Sequence, residues 1–227
     1  MEVNIPEFKE QIEINETELK GGIYKIVKRI IDIVGALIGC IFLIPLTLVI
    51  WMANIISKDN GPVFYVQKRI GKGGKVFLMY KYRSMVVDAD RKLKRYLLDN
   101  PDADAEFKKY RKLKEDPRVT PIGKFIRKTS LDEFPQFINV LKGDMSLVGP
   151  RPYLQREKRA MKKNYKEIIK VKPGLTGPWQ VQGRSEIPLE DRIKMDIDYI
   201  KEQSILKDIK YLFKTVLSIF KSDEGAM

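Results

Sequence analysis

The chain has no histidine and a single cysteine in 227 residues. Without histidine there is no Ser-His-Asp or Cys-His catalysis, no imidazole general base, and no His-rich zinc site. One cysteine closes no intrachain disulfide, which excludes a disulfide framework. Internal repeats and low-complexity tracts are absent as well. Any catalysis must rest on carboxylates, Lys, Arg, hydroxyl side chains or a bound metal. What is plentiful is positive charge: 43 Lys and Arg against 30 Asp and Glu, a net +13. That excess implies an anionic partner: nucleic acid, anionic lipid or a phosphorylated small molecule. At 44% hydrophobic, the composition suits one globular domain or one domain with an appendage.

The charge is uneven. Residues 1–20 hold six acids and two lysines, a charge of −4, which leaves +17 on the rest. This acidic arm, taken as residues 1–22, reads as a leader or a surface helix. Residues 33–57 then carry no charge at all. As a helix they would reach about 37 Å at about 1.5 Å per residue, enough for a hydrocarbon core of about 30 Å. A buried core helix is a poor reading, because the run has no polar face. A cleaved signal peptide is also poor, since the preceding arm is acidic. A crossing helix and a re-entrant hairpin remain. Basic residues flank both ends, with Lys25, Lys28 and Arg29 before and Lys58, Lys68 and Arg69 after. Basic flanks belong on the cytoplasmic side, and a hairpin keeps both there. Pro45, in the middle of the run, removes a backbone hydrogen bond and is the natural place for a break. Asp32, at the entrance, is expected to pair with Arg29. Cys40 lies within the run and reads as inert packing.

Beyond residue 60 the chain reads as soluble. Residues 62–67 and 75–81 look like strands joined by the Gly-rich GKGGK turn, a hairpin turn more readily than a phosphate cradle. Charged helices are expected at 88–98 and 102–114, and others at 122–128, 131–141 and 188–202. The last segment, from Ile205 to Phe220, has a broad apolar face. It suits a membrane interface or a core equally.

Four adjacent carboxylate pairs occur, and context separates them. Glu115-Asp116 precedes a proline, Glu190-Asp191 sits where acids favour a helix start, and Asp223-Glu224 lies in the tail. Asp132-Glu133 lies in FIRKTSLDEFPQFINVLKGDMSLVGPRP. Ser130 and Glu133 there match an S-x-x-E capping box, which leaves Asp132 unexplained. Arg127, Lys128 and Arg151 stand nearby. A carboxylate among cations should stay ionised. It could attack a phosphorus atom whose oxygens those cations neutralise, or hold a divalent cation. Cap and chemistry both remain open on these residues alone.

The residues KRIIDIVGA (28–36), the Pro45-centred run, GPVFYVQKRIGKGGKVFLMYKYRSM (61–85), DPRVTPIGKFIRKTSLDEFPQFINVLKGDMSLVGPRP (116–152) and KPGLTGPWQVQGR (172–184) together resemble the bacterial sugar transferases, the monotopic phosphoglycosyl transferases. The resemblance runs from Lys28 to about Phe220. It implies an enzyme that moves a sugar-1-phosphate from a nucleoside diphosphate sugar, usually a UDP-sugar, to polyprenyl (undecaprenyl) phosphate. The products are a polyprenyl-diphosphate sugar and UMP, and the step initiates surface glycan synthesis. It implies Asp132 as the nucleophile of a ping-pong mechanism with a covalent phosphosugar ester, Glu133 as its assistant, and Mg²⁺ held by the two. By the same resemblance, Arg127 and Arg151 would bind phosphates. Lys81, Arg83, Trp179, Gln180 and Arg184 would contribute to substrate binding, and Pro45 would mark the membrane break. The GPWQVQGR block is closer to members that use hexoses such as galactose or glucose. Larger members carry several membrane spans, so the likeness is to the minimal catalytic form; the acidic arm has no match in it.

The expected fold class is therefore α+β and mostly helical. A re-entrant membrane helix-break-helix (23–58) would join a small cytoplasmic catalytic domain (59–221), with a short β-hairpin, amphipathic interfacial helices and a tail at 222–227. The expected partners are a UDP-sugar, polyprenyl phosphate and the lipid bilayer, with a homo-oligomer left open and nucleic acid excluded. A nucleic-acid-binding protein would explain +13 but not the 25-residue apolar run. A non-enzymatic membrane scaffold is the other alternative. The expected location is the bacterial inner (cytoplasmic) membrane, with the catalytic domain facing the cytoplasm.

Overall fold

The computed structural model describes residues 5–110, 113–182 and 187–220, with side chains from residue 21 onward (109–110 and 219–220 excepted). Arg184 and the tail at 222–227 lie outside the described residues. The fold is mostly helical, with two small two-stranded sheets.

Helix α1 spans Ile5–Ile56 and contains the apolar run up to its last residue but one. It is helical through Pro45, so the expected interruption of the helix there is not found. Pro45 has no N–H for the Ile41 carbonyl, a local loss. Packing on both sides of the proline carries the helix across it. Asp32, Ala36, Leu43, Ile50 and Asn54 are buried at spacings of three to four residues and their multiples, which is one stripe of a helix. Close to the proline, Thr47 Oγ1 donates to the Leu43 carbonyl at 2.7 Å, and the Tyr82 hydroxyl reaches the same oxygen at 3.3 Å. The opposite face, including Val34, Ile38, Ile41, Ile44 and Leu48, is apolar and exposed.

Two glycines let α1 sit this close. A Cβ on Gly39 would lie 2.4 Å from the Phe137 ring, and one on Gly35 would lie 2.6 Å from Leu147 Cδ1. Polar contacts complete the seam. Asp32 accepts from Ser146 Oγ at 2.9 Å and Leu147 N at 2.8 Å. Arg29, expected to pair with Asp32, instead donates to the Val140 and Leu141 carbonyls at 2.7 and 2.9 Å. Those carbonyls close a neighbouring helix, and a cation is favoured at such an end.

Strands β1 (Phe64–Ile70) and β2 (Val76–Tyr82) form an antiparallel hairpin in which Tyr65 pairs with Lys81 and Arg69 with Phe77. Its glycine turn uses its N–H groups internally: Gly73 N bonds Ile169 O at 2.7 Å, and Gly74 N bonds Gly71 O at 3.1 Å. The turn is structural and presents no phosphate cradle. Next come α2 (Ala89–Asp99), α3 (Pro101–Tyr110) and α4 (Pro121–Lys128), the last capped by Thr120 Oγ1 on Gly123 N. Helix α5 (Gln136–Lys142) ends at Gly143, whose φ of 85° is a helix-stop conformation. Asn139 of α5 accepts from Tyr80 N at 3.0 Å and donates to Leu78 O at 2.7 Å, which satisfies the free edge of β2.

A second sheet, not expected from the sequence, pairs β3 (Ser146–Val148) in parallel with β4 (Gly174–Thr176). Short helices α6 (Lys158–Met161) and α7 (Tyr165–Ile168) lie between them. Helix α8 (Leu189–Lys201) buries Ile193, Asp196, Ile197 and Tyr199. Helix α9 (Ile205–Phe220) turns Asp208 inward and leaves Leu206, Ile209, Phe213 and Val216 exposed. Asp208 receives Lys28 Nζ at 2.7 Å, the Tyr199 hydroxyl at 2.6 Å and the Tyr24 hydroxyl at 3.0 Å, tying α1, α8 and α9 together.

Candidate active site

Asp132 and Glu133 lie in a single 3-10 turn, Leu131–Glu133, between α4 and α5. The capping box read from S-x-x-E does not form. Ser130 adopts left-handed backbone angles (φ 57°, ψ 16°) and its side chain caps nothing. The Glu133 carboxylate is engaged elsewhere, so it cannot reach back to the Ser130 N–H. A serine in this conformation is strained, as residues beside functional groups often are.

Lys81, reaching from β2, is that other partner. Its Nζ lies 2.8 Å from Glu133 Oε1 and 3.5 Å from Asp132 Oδ2. The shared lysine and burial set the two carboxyls apart. Burial pushes Asp132 above the usual carboxylate range, Glu133's charge adds to the rise, and Lys81 and Arg127 oppose it. Burial thus works against the nearby cations that are expected to keep Asp132 ionised. Burial also acts on Glu133, but Lys81, Arg151 and Arg69 outweigh it and hold that carboxyl below its ordinary value. Burial draws Lys81 down, yet the two carboxylates hold it above its ordinary value and it remains charged.

A cleft of about 290 Å³ opens beside the pair, lined by Lys81, Glu133, Gln136, Arg69, Arg151 and Gln180 among others. Arg151 stands between Pro150 and Pro152, and the proline that follows disfavours a helical backbone at Arg151. Its N–H donates to Asp196 Oδ2 at 3.3 Å, and its guanidinium lies 5.4 Å from the Trp179 ring centroid. Arg192 stacks on the same indole at 4.8 Å. Trp179 is only 5% exposed. It serves as a platform for two arginines rather than an open surface for a base or sugar. Gln180 Nε2 is held by Leu175 O at 3.1 Å.

The remaining expected residues are placed as follows. Arg127, in the last turn of α4, acts electrostatically on Asp132. Arg83 is turned away from the cleft: it is buried, pairs with Asp59 at 3.0 Å and donates to Pro62 O at 2.6 Å. It anchors the loop after α1. Arg69 was missed, although the hairpin alternation offered a signal, since residues 69 and 81 lie on the same face. Arg69 donates to Pro152 O at 2.8 Å and Gln67 Oε1 at 2.5 Å. Burial and then Arg151 push it down to about 10, so it stays charged at neutral pH. Asp196, also missed, is an acid on the buried face of α8 that accepts from the Tyr153 hydroxyl at 2.7 Å. The two adjacent carboxylates are a hard-oxygen donor set that suits a divalent cation also bound by substrate phosphates. Among the described residues no group of three or more Asp, Glu or Cys gathers around a single point, so substrate and water oxygens would supply the other ligands.

The family described as bacterial sugar transferase matches residues 23–222. The chain is 44% identical, over 199 residues, to an undecaprenyl-phosphate galactose phosphotransferase of Salmonella typhimurium, covering 88% of this chain and 41% of that protein. It is 47% identical over 192 residues to galactosyl transferase CpsE of Streptococcus agalactiae serotype III, covering 84% and 41%. It is 39% identical over 192 residues to the exopolysaccharide production protein ExoY of Sinorhizobium fredii, covering 85% and 84%. The chain therefore spans about two fifths of the length of the first two relatives and most of the third.

Proposed function

The chain belongs to the bacterial sugar transferase family, and on that premise we propose that it transfers a hexose-1-phosphate from a UDP-hexose to undecaprenyl phosphate. The observation that carries this reading is the Asp132-Glu133 pair sharing Lys81 beside a cleft lined by Arg69 and Arg151. Relatives named for galactose and for glucose transfer to undecaprenyl phosphate support a hexose donor.

In the first half-reaction an Asp132 carboxylate oxygen forms a bond to the β-phosphorus. The bond from that phosphorus to the bridging oxygen breaks, and UMP leaves with the electron pair. In the second, an oxygen of undecaprenyl phosphate attacks the phosphorus of the Asp132 ester. The Asp132–phosphorus bond breaks, the carboxylate is restored, and the polyprenyl-diphosphate hexose departs. No histidine is required, because the nucleophiles in both halves are oxyanions. Asp132 must be ionised to attack, and Lys81 and Arg127 favour that form against burial. Lys81, Arg69 and Arg151 place positive charge around the diphosphate, where charge shifts in the transition state. Mg²⁺, held by Asp132 and Glu133, would add neutralisation of the phosphate oxygens.

Helix α1 is long and apolar enough to cross a membrane. We assign it to the bilayer entered from one side, with the exposed faces of α1 and α9 in lipid and the domain at the cytoplasmic surface of the inner membrane. The support is the stripe from Asp32 to Asn54, which stays against the domain along the apolar run, together with the basic residues at both ends of that run, which favour the cytoplasmic side for each end. Lys25→Cys and Asn60→Cys, each in a Cys40→Ala background, should both label from the cytoplasmic side; opposite labelling means a crossing helix.

Purified chain in nanodiscs should release UMP from UDP-galactose or UDP-glucose and retain one hexose phosphate on the protein when the lipid is omitted. Asp132→Asn should lower turnover by about 10³-fold or more while remaining folded. Substantial turnover in that variant would remove Asp132 as the nucleophile.

A further inference from the structure

Charges around the carboxylate pair divide into two sets. Lys81 touches both carboxyls. Arg127 bears on Asp132, while Arg151 and Arg69 bear on Glu133. The Arg69 and Arg151 side chains line the cleft on the Glu133 side, along with Gln180. Arg69 is 7% exposed, and its fork is held rigidly by Pro152 O and Gln67 Oε1. Its Nε–H nevertheless has no acceptor among the described residues, and Gln180 Oε1 has no donor. A buried guanidinium N–H without an acceptor is costly, and such a group calls for an explanation. The side chains that carry them, one donor and one acceptor, line the same cleft.

In-line displacement puts the leaving oxygen on the side of phosphorus opposite the attacking one. Arg69 and Arg151 line the cleft that Glu133 borders and Asp132 does not, so a phosphate leaving into that cleft, away from Asp132, would meet them. We infer that Arg69, with Arg151, binds the phosphate that departs with the nucleoside, and that Gln180 Oε1 accepts a hydrogen bond from the nucleoside itself. The inference rests on the proposed sugar-nucleotide reaction and names the ligand of the cleft's far wall: a nucleoside monophosphate. Arg69 keeps its charge despite burial, as a phosphate ligand must. Its committed Nη groups leave one edge for an oxyanion, a pre-organised arrangement that a flexible lysine cannot reproduce.

The test uses the full chain in nanodiscs and UMP as the probe. Calorimetry reads UMP binding without turnover, and steady-state kinetics read KM for UDP-hexose and for undecaprenyl phosphate. Arg69→Gln should weaken UMP binding and raise the UDP-hexose KM by about tenfold, the loss of roughly one charge-assisted hydrogen bond. The undecaprenyl phosphate KM should stay within about twofold. Because Arg69 also holds Pro152, Arg69→Lys is measured in parallel; it keeps the charge, loses the Nε contact, and should weaken UMP binding by about fivefold or more. Unchanged UMP affinity in Arg69→Lys overturns the inference, as does a rise confined to the undecaprenyl phosphate KM. Wild-type chain that binds UMP through Arg69 but turns over no UDP-sugar would support the subsite and count against the proposed reaction, so the two failures are distinguishable.

Discussion

The seam between α1 and the domain, and the cleft beside Asp132, both bury charge, and they treat it differently. In the seam each buried ion has its partners inside the chain. Asp32 accepts two bonds, Arg29 donates two, and Asp208 receives three. In the cleft the cations outnumber their partners: Lys81, Arg69 and Arg151 surround Glu133, and Arg69 Nε and Gln180 Oε1 have no partner among the described residues. A saturated set of buried charges holds structure. An unsaturated set of one dominant sign is shaped for a ligand of the other sign.

That contrast can be broken by substitution. Asp208→Ala leaves Lys28 without its partner in a half-buried site, so stability should fall by about 3–5 kcal/mol in denaturant unfolding. The fraction that remains folded should keep its UMP affinity; a lost affinity would mean that the seam also shapes the cleft. Lys81→Met should do the reverse. Turnover should drop by about 10²–10³-fold, or about 3–4 kcal/mol, with a small change in melting temperature.

Asp196 lies between the two classes. Its Oδ2 is bonded to Tyr153 and Arg151, and its Oδ1 has no partner among the described residues. Burial pushes its carboxyl up to about 7. The folded chain therefore holds this proton more tightly than the unfolded chain between about pH 4 and 7. Its contribution to stability falls as pH rises through that window and is level above it. Relative to wild type, Asp196→Asn should remove a fall of about 2–3 kcal/mol between pH 5 and 7. Equal slopes in the two proteins would mean that Asp196 is ionised throughout. The smallest effect belongs to a pair in neither region. Lys170 and Glu167 are exposed and 2.7 Å apart, and Lys170→Ala should shift stability by less than about 0.5 kcal/mol.

Legibility followed the range of the interactions. The hairpin, the paired helices after it and the amphipathic last helix were readable because alternation and helical spacing are local. The parallel β3–β4 pair was not, since each strand has three residues and its partner lies more than twenty residues away. Adjacency offered four carboxylate pairs, and the basic context and the family resemblance together picked out Asp132 and Glu133. The same local reading supplied a capping box that the fold does not build, because Lys81, 52 residues away in sequence, draws the Glu133 carboxylate to itself. Arg83 and Arg69 were equally basic in the sequence. One is spent on Asp59 and the other faces the cleft.

The amino-acid sequence by itself determined the apolar helix, the concentration of positive charge beyond it, and the exclusion of histidine-based chemistry. Composition and periodicity are properties of neighbours along the chain, and no folding alters them. Tertiary structure alone decided that α1 stays helical through Pro45, that Asp32 bonds β3 rather than Arg29, and that Asp132 is raised while Glu133 is lowered. Each of these depends on which distant groups are brought within a few ångströms and on how much water is excluded there. Electrostatic strength changes steeply with both distance and burial.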